Sequence, residues 1–174
     1  MRKPTARQQL THAAAFEGIP EAWDADTWIL LSQCVRRKPE MFASFIIDAG
    51  SGVCLAARID SRPLGEEVSS FLDCVVESLG EMQARPRHVI TDRNRIINLG
   101  WLASWGCSRN VEIGLHPAWT IHHATRNVMA KFTLLLNSDS LANSFQERGL
   151  LALGVEVDRW RSEFNVSLHG FSVA

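Results

Sequence analysis

The alternation of apolar and polar stretches along the chain predicts a β-rich first half. Two apolar runs, residues 41–47 and 53–59, flank the sequence DAGSG at positions 48–52, which is rich in residues that tolerate tight turns. This pattern predicts a β-hairpin. An earlier apolar run, residues 28–35, fits either a buried strand or a short helix, because its periodicity does not separate the two.

Helical periodicity begins at residue 68, after the predicted hairpin. One apolar stripe repeats at the spacing of a single helix face and stops before Gly80; its members are Val68, Phe71, Leu72, Val75, Val76 and Leu79. Beyond it we expect a short strand at residues 87–91, a helix at 95–106 that ends at Gly106, and a strand at 110–115. Residues 124–164 are predicted to be mainly helical, with breaks near 138–140 and 149–154.

This order of elements predicts an α/β fold with a mixed sheet, in which antiparallel hairpin strands come first and parallel strands follow, flanked by helices. Ligands of such open sheets bind beyond the carboxyl ends of the parallel strands. We expect residues 1–20 to form a flexible N-terminal arm and residues 21–174 to form the core domain with its C-terminal helices.

Composition narrows the class of protein. The chain has 174 residues, enough for one domain, and a formal net charge of −1, so binding to nucleic acid would need a local basic patch. The spacings of the four cysteines match no zinc pattern, and we expect free buried thiols in a reducing compartment; they are Cys34, Cys54, Cys74 and Cys107. No apolar run is long enough to cross a bilayer, which favours a soluble cytoplasmic protein without a membrane partner.

Three aspartates follow or precede apolar runs and are candidates for a metal site: Asp26, Asp48 and Asp92. Carboxylates from different strands can hold Mg²⁺ or Mn²⁺, the ions that clamp both oxygens in a phosphoryl transfer. Each aspartate also has a structural interpretation. Asp48 opens the hairpin turn, Asp26 could cap a helix, and Asp92 could cap a helix that begins near residue 95.

The order of these acids resembles the catalytic core of retroviral-type integrases and DDE transposases, in the ribonuclease-H-like superfamily. The family opens its first strand with W-x-x-D-x-T, similar to WDAD at residues 23–26, although Thr27 comes one place early. A hydrophobic-hydrophobic-D-x-x-S/T hairpin follows, similar to IIDAGS at 46–51. After a helix and a proline comes the second aspartate, similar to VITDRN at 89–94, and a late W-x-x-E-Y-N motif resembles WRSEFN at 160–165.

The resemblance implies that Asp26 and Asp92 are the catalytic residues and the ligands of Mg²⁺ or Mn²⁺. It also implies a third acid, a glutamate, on a helix between residues 127 and 131. No carboxylate lies there, and Val128, Met129 or Ala130 occupies the place. Asn127, His122 and His123 are the residues that could substitute as a ligand. Asparagine is neutral, however, and imidazole suits softer metals than Mg²⁺. We therefore expect an integrase-like core, related to DNA integration and transposition, with badly impaired catalysis.

DNA is the partner that the resemblance implies, together with a homo-oligomer. If the fold is of this type, a basic rim would grip phosphates near Asp92; its members are Arg93, Arg95, Arg126 and Lys131. Trp119 would either stack on a base or, in the interpretation we favour, be partly buried by packing. The alternative function is a non-catalytic α/β interaction module unrelated to integrases, and the chain could belong to a larger transposase.

Overall fold

The computed structural model describes residues 26–37, 40–80, 85–93 and 96–170. The predicted arm at residues 1–20 lies outside the described residues, as does the start of the predicted core domain. The elements in chain order are β1 (Thr27–Arg37), β2 (Glu40–Asp48), β3 (Cys54–Asp60), α1 (Val68–Leu79), β4 (His88–Asp92), α2 (Leu99–Arg109), β5 (Glu112–His116), α3 (Ala118–Leu136) and α4 (Asp139–Gly170).

The five strands form one sheet in the order β3-β2-β1-β4-β5. β1 pairs with β2, and β2 with β3, in antiparallel fashion, whereas β4 pairs in parallel with both β1 and β5. The predicted mixed sheet, with a hairpin first and parallel strands later, is confirmed. The parallel strands β1, β4 and β5 therefore run in the same direction, and β4 and β5 end level with each other at what we call the carboxyl edge.

Helices cover both faces of the sheet, and the strands are buried accordingly. Alternate residues of β1 point to opposite faces: Ile29 and Leu31 join the core beneath α3 and α4, and Trp28 and Leu30 join the core beneath α1 and α2. All four are at most 2% exposed. A central strand buried on both faces reads as a continuous apolar run, which explains why the sequence at this position fitted a strand or a helix.

The helix of the apolar stripe is confirmed as α1, and it stops at Gly80 in a positive-φ conformation (φ 64°). α2 differs from its prediction, since it begins at Leu99 and continues past Gly106 to Arg109. The Asn98 side chain caps it by accepting hydrogen bonds from the backbone N–H groups of Gly100 and Trp101. The interpretation of Asp92 as its cap is therefore wrong.

Gly106 lies inside α2 because the helix there packs directly on β5. A Cβ atom at this position would meet Ile113 Cγ1 and the Val111 carbonyl oxygen, both at 2.7 Å. A glycine that would otherwise end a helix instead allows a close approach between helix and strand.

The C-terminal helix α4 closes one core and also covers the outer edge of β3. The rings of Trp160 and Phe164 stack at 5.5 Å, and Trp160 meets the edge of Phe132 at 5.1 Å. The amide group of Asn165 forms two hydrogen bonds with the Cys54 backbone, accepting from its N–H and donating to its carbonyl, each at 2.9 Å. α4 has one non-helical residue, Gly149, within the break predicted at 149–154.

The prediction that all four thiols are buried is wrong for three of them. Cys54 is buried at the start of β3, and burial raises the pKa of its thiol to about 12, so it stays protonated. Cys34, Cys74 and Cys107 are exposed. The apolar or small neighbours of each cysteine in the sequence did not reveal which residues of its element the fold would cover.

Candidate functional site

Two buried polar residues lie side by side at the carboxyl edge of the sheet. Asp92 ends β4 and His116 ends β5, and they are register partners in the parallel pair. Their exposed fractions are 3% and 4%. Sequence reasoning found Asp92 but missed His116, although the same signal was present: an apolar strand that ends in a polar side chain, followed here by Pro117, the residue before α3.

Both side chains lie on the face of the sheet that α3 and α4 cover. Strand alternation places Asp92 on the side of Ile90, which belongs to that core. A Cβ atom at Gly114 would lie 3.0 Å from Ile90 Cγ2 and 3.6 Å from His116 Nε2, so the imidazole is on the same side. The missing side chain of Gly114 leaves room for the Ile90 methyl group and the histidine ring.

Burial lowers the pKa of His116 below its ordinary value, because desolvation disfavours the charged imidazolium. The residue is therefore a neutral imidazole at pH 7. A carboxylate beside a neutral imidazole can share a hydrogen bond or hold a single cation weakly. It cannot supply the set of oxygen ligands that a pair of Mg²⁺ ions needs.

The lowered pKa of His116 predicts a loss of stability in acid. The unfolded chain takes up a proton on this residue near pH 6.5 and the folded chain does so only at lower pH, so the free energy of unfolding falls as the pH drops below about 6.5. We expect His116→Gln to flatten the fall between pH 7.5 and 5.5, measured by urea denaturation. His122→Gln, at an exposed position of α3, is the control. Equal pH slopes for wild type and His116→Gln would contradict the prediction.

Asp26 lies at the opposite end of the parallel strands. The pairing of Thr27 with His88 places Asp26 level with Arg87, and its backbone carbonyl accepts hydrogen bonds from the N–H groups of Arg87 and His88. From Arg87 to Asp92, β4 advances by five residues, about 16 Å at a rise of about 3.3 Å per residue. The predicted convergence of Asp26 and Asp92 on a shared ion is therefore wrong.

Asp26 has a different partner at that end. Its Oδ2 lies 3.1 Å from Arg87 Nε in a surface ion pair. The next parallel strand adds a second pair at the same end, between His88 Nε2 and Glu112 Oε2 at 3.0 Å. Asp26 and Glu112 thus each have a basic partner at the start of the parallel strands, and neither acid reaches the carboxyl edge.

Asp48 is a turn residue, as its position in the hairpin indicated. Its Oδ1 accepts hydrogen bonds from the backbone N–H of Ser51 at 2.7 Å and from the Ser51 hydroxyl at 2.6 Å. Its backbone N–H donates to the Val53 carbonyl. Both local bonds fix the turn, so this carboxylate has a structural role.

The helix that should carry the third acid supplies none. α3 contains no aspartate or glutamate in its 19 residues, and β1 contains none in its 11. Val128 is buried in the core, whereas Asn127, His122 and His123 are exposed on the other side of α3. Among the described residues, no three His, Cys, Asp or Glu side chains gather as a group that could hold a metal ion.

The outward side of α3 is cationic and aromatic. Arg126 and Lys131 are exposed there, and Arg93 is exposed just after β4; Arg95 lies outside the described residues. Trp119 is 58% exposed, so the interpretation of this residue as partly buried packing is wrong. Since α3 has no carboxylate, Arg126 and Lys131 have no acidic neighbour on their own helix.

Comparisons with known proteins bear on the fold. No protein-family model and no curated protein sequence matches the chain. A chain in the cryo-EM structure of the simian T-cell lymphotropic virus intasome, in complex with the PP2A regulatory subunit B56 gamma, matches with a TM-score of 0.55 and 16% identity. The match covers 88% of the present chain and 50% of the intasome chain, so the present chain spans half of the length of that relative.

Two isolated integrase cores match with lower TM-scores. The HTLV-2 integrase catalytic core domain in complex with magnesium gives a TM-score of 0.48 at 11% identity, covering 80% of this chain and 82% of that one. The BIV integrase catalytic core gives 0.48 at 10% identity, covering 75% and 79%. The intasome match, together with the strand order, shows a ribonuclease-H-like fold of the integrase-core type, which confirms the predicted fold class. None of the described helices combines the length and apolar character of a membrane span.

Proposed function

We propose that this chain is an integrase-like domain that does not catalyse phosphoryl transfer and that binds nucleic acid through the outward side of α3. The observation that carries the first part is the separation of the acids. Asp26 is held at the start of β1, Asp92 is at the end of β4, and α3 has no carboxylate.

The residues at the carboxyl edge do not fit a pair of divalent ions. Two-metal catalysis needs several carboxylate oxygens to bridge ions about 3.5–4 Å apart and to neutralise the phosphate in the transition state. Here Asp92 is the one carboxylate at the paired ends of β4 and β5, and the neighbouring position is a neutral imidazole, His116.

Charge distribution supports the second part of the proposal. The chain as a whole has a formal net charge of −1, so any attraction for a polyanion has to come from a local surface. α3 offers such a surface, because Arg126 and Lys131 are exposed on a helix without acids. Arg93, exposed just after β4, would extend it along the carboxyl edge. Phosphate contacts of this type give affinity without reading sequence.

The test combines a catalytic assay with a binding assay. We expect no strand transfer with Mg²⁺ or Mn²⁺, and we expect binding to labelled DNA that weakens steeply with salt, measured by fluorescence anisotropy. Arg126→Glu is expected to weaken binding and to reduce the slope of log Kobs against log salt by about 1. Arg62→Glu, an equal change of charge at an exposed position after β3, is the control and should leave binding unchanged.

The two parts of the proposal fail separately. Metal-dependent strand transfer that Asp92→Asn abolishes would overturn the non-catalytic part. Equal losses of affinity in Arg126→Glu and Arg62→Glu would show a general charge effect and overturn the assignment to α3. Absence of any DNA binding would favour a protein-interaction module on the same fold.

A further inference from the structure

We infer that the α3 surface is specific for single-stranded nucleic acid, with Trp119 as the platform on which an unpaired base stacks. This inference rests on the proposed binding to α3 and adds the class of ligand. The surface is defined by Trp119, His122, His123 and Arg126. Positions i, i+3, i+4 and i+7 lie on one side of a helix, and all four side chains are exposed.

Trp119 differs from the tryptophans that build the cores. Trp28, Trp105 and Trp160 are between 2% and 8% exposed, and Trp105 also donates its indole N–H to Asp73 Oδ1 at 2.8 Å. Trp119 is 58% exposed, and no hydrogen bond or ring contact accompanies its indole within the described residues. A large apolar ring left in water is a contact surface that a ligand can cover.

The neighbours of Trp119 define the chemistry of that ligand. His122 and His123 stand one turn along the helix and Arg126 stands two turns along, with no aspartate or glutamate anywhere in α3. An aromatic ring beside two histidines and the cationic Arg126, on a helix without acids, matches a base next to a phosphodiester backbone. The positive charge of Arg126 therefore favours a polyanion, and the indole of Trp119 favours a polyanion with exposed bases.

A single strand satisfies this combination better than a duplex does. The faces of paired bases are covered by their neighbours in the stack, so a surface tryptophan can reach them only after unstacking. Unpaired bases present their faces freely, and stacking of one base on an aromatic side chain contributes about 1–3 kcal/mol. Duplex DNA could use Arg126 but would gain nothing from Trp119.

The experiment measures binding of labelled oligo(dT), oligo(rU) and a mixed-sequence duplex of equal length to the full chain at one salt concentration. Trp119→Ala is expected to weaken binding of the single strands by about 5- to 100-fold and to leave duplex binding unchanged. Trp119→Phe should keep most of the affinity. Trp101→Ala is the matched control, since Trp101 is 46% exposed but lies on α2.

The outcomes separate this inference from the proposal on which it rests. If Trp119→Ala binds oligo(dT) and oligo(rU) as wild type does, or if wild type prefers the duplex, the single-strand assignment is overturned while α3 remains the binding helix. If the wild-type chain binds none of the three probes, both fail. Equal losses in Trp119→Ala and Trp101→Ala would point to a general effect on the fold and would also overturn the role of Trp119.

Discussion

Replacing Phe132 by alanine is expected to lower the free energy of unfolding by about 3–5 kcal/mol. Phe132 is fully buried on α3, where its ring meets Phe45 of the sheet edge-to-face at 4.8 Å and Trp160 of α4 at 5.1 Å. One side chain thus joins the sheet and both helices of that face. Its removal leaves a cavity that two rigid aromatic neighbours cannot close, so the cost should be at the upper end of the range for core truncations.

Urea denaturation followed by tryptophan fluorescence would measure the loss. Leu134→Ala is the control on the same helix, because Leu134 is 66% exposed and its truncation should change stability by no more than about 0.5 kcal/mol. Comparable losses for the two variants would mean that α3 does not pack on the sheet through its Phe132 side.

Introducing a glutamate at Val128 is expected to destabilise the fold by about 3–5 kcal/mol, because it places an uncompensated carboxylate in the core. Val128 is one of the three positions where the family resemblance places the third catalytic acid. The structure puts its side chain in the core beneath α3, 3% exposed, among Ile121 and Phe132. Ala130→Glu, on the exposed side of the same helix, should change stability by no more than about 0.5 kcal/mol.

Divalent ions make this substitution a test of the site as well. If Val128 faced a latent metal site with Asp92, saturating Mn²⁺ would recover much of the melting temperature lost by Val128→Glu. We expect no recovery, and equal melting shifts with Mn²⁺ for Val128→Glu and Val128→Gln. Selective rescue of the glutamate variant would contradict the proposal that this fold has no functional pair of ions.

Local patterns predicted the parts of the fold that local interactions determine. The turn at residues 48–52 follows from the preference of Asp48 for its own backbone, and α1 follows from one apolar stripe that Gly80 ends. The class of sheet followed from the order of these elements. Asn98 was missed as a cap because Asp92, also a good capping residue, comes first in the sequence, and only the start of α2 distinguishes them.

The candidate site depends on register, which short patterns do not encode. A W-x-x-D match does not say whether the aspartate stands at the start or the end of a strand. Here the strand begins one residue after Asp26, so this acid falls at the wrong end of the parallel set. Exposure of Trp119 was equally hidden, since the helical stripe shows which residues share a side but not which side the sheet will cover.

The side-chain amide of Asn165 protects the edge of the sheet against pairing with a second copy of the chain. β3 is one of the two edge strands of the described sheet, and unpaired peptide groups along an edge strand invite pairing with another chain. Asn165 offers Cys54 a donor and an acceptor in the geometry of a neighbouring peptide, and Arg161 donates to the next carbonyl, Leu55, at 3.3 Å. The last turns of α4 thereby occupy the peptide groups of Cys54 and Leu55 at this edge, and a chain truncated before Arg161 would expose these groups to pairing with a strand of another molecule.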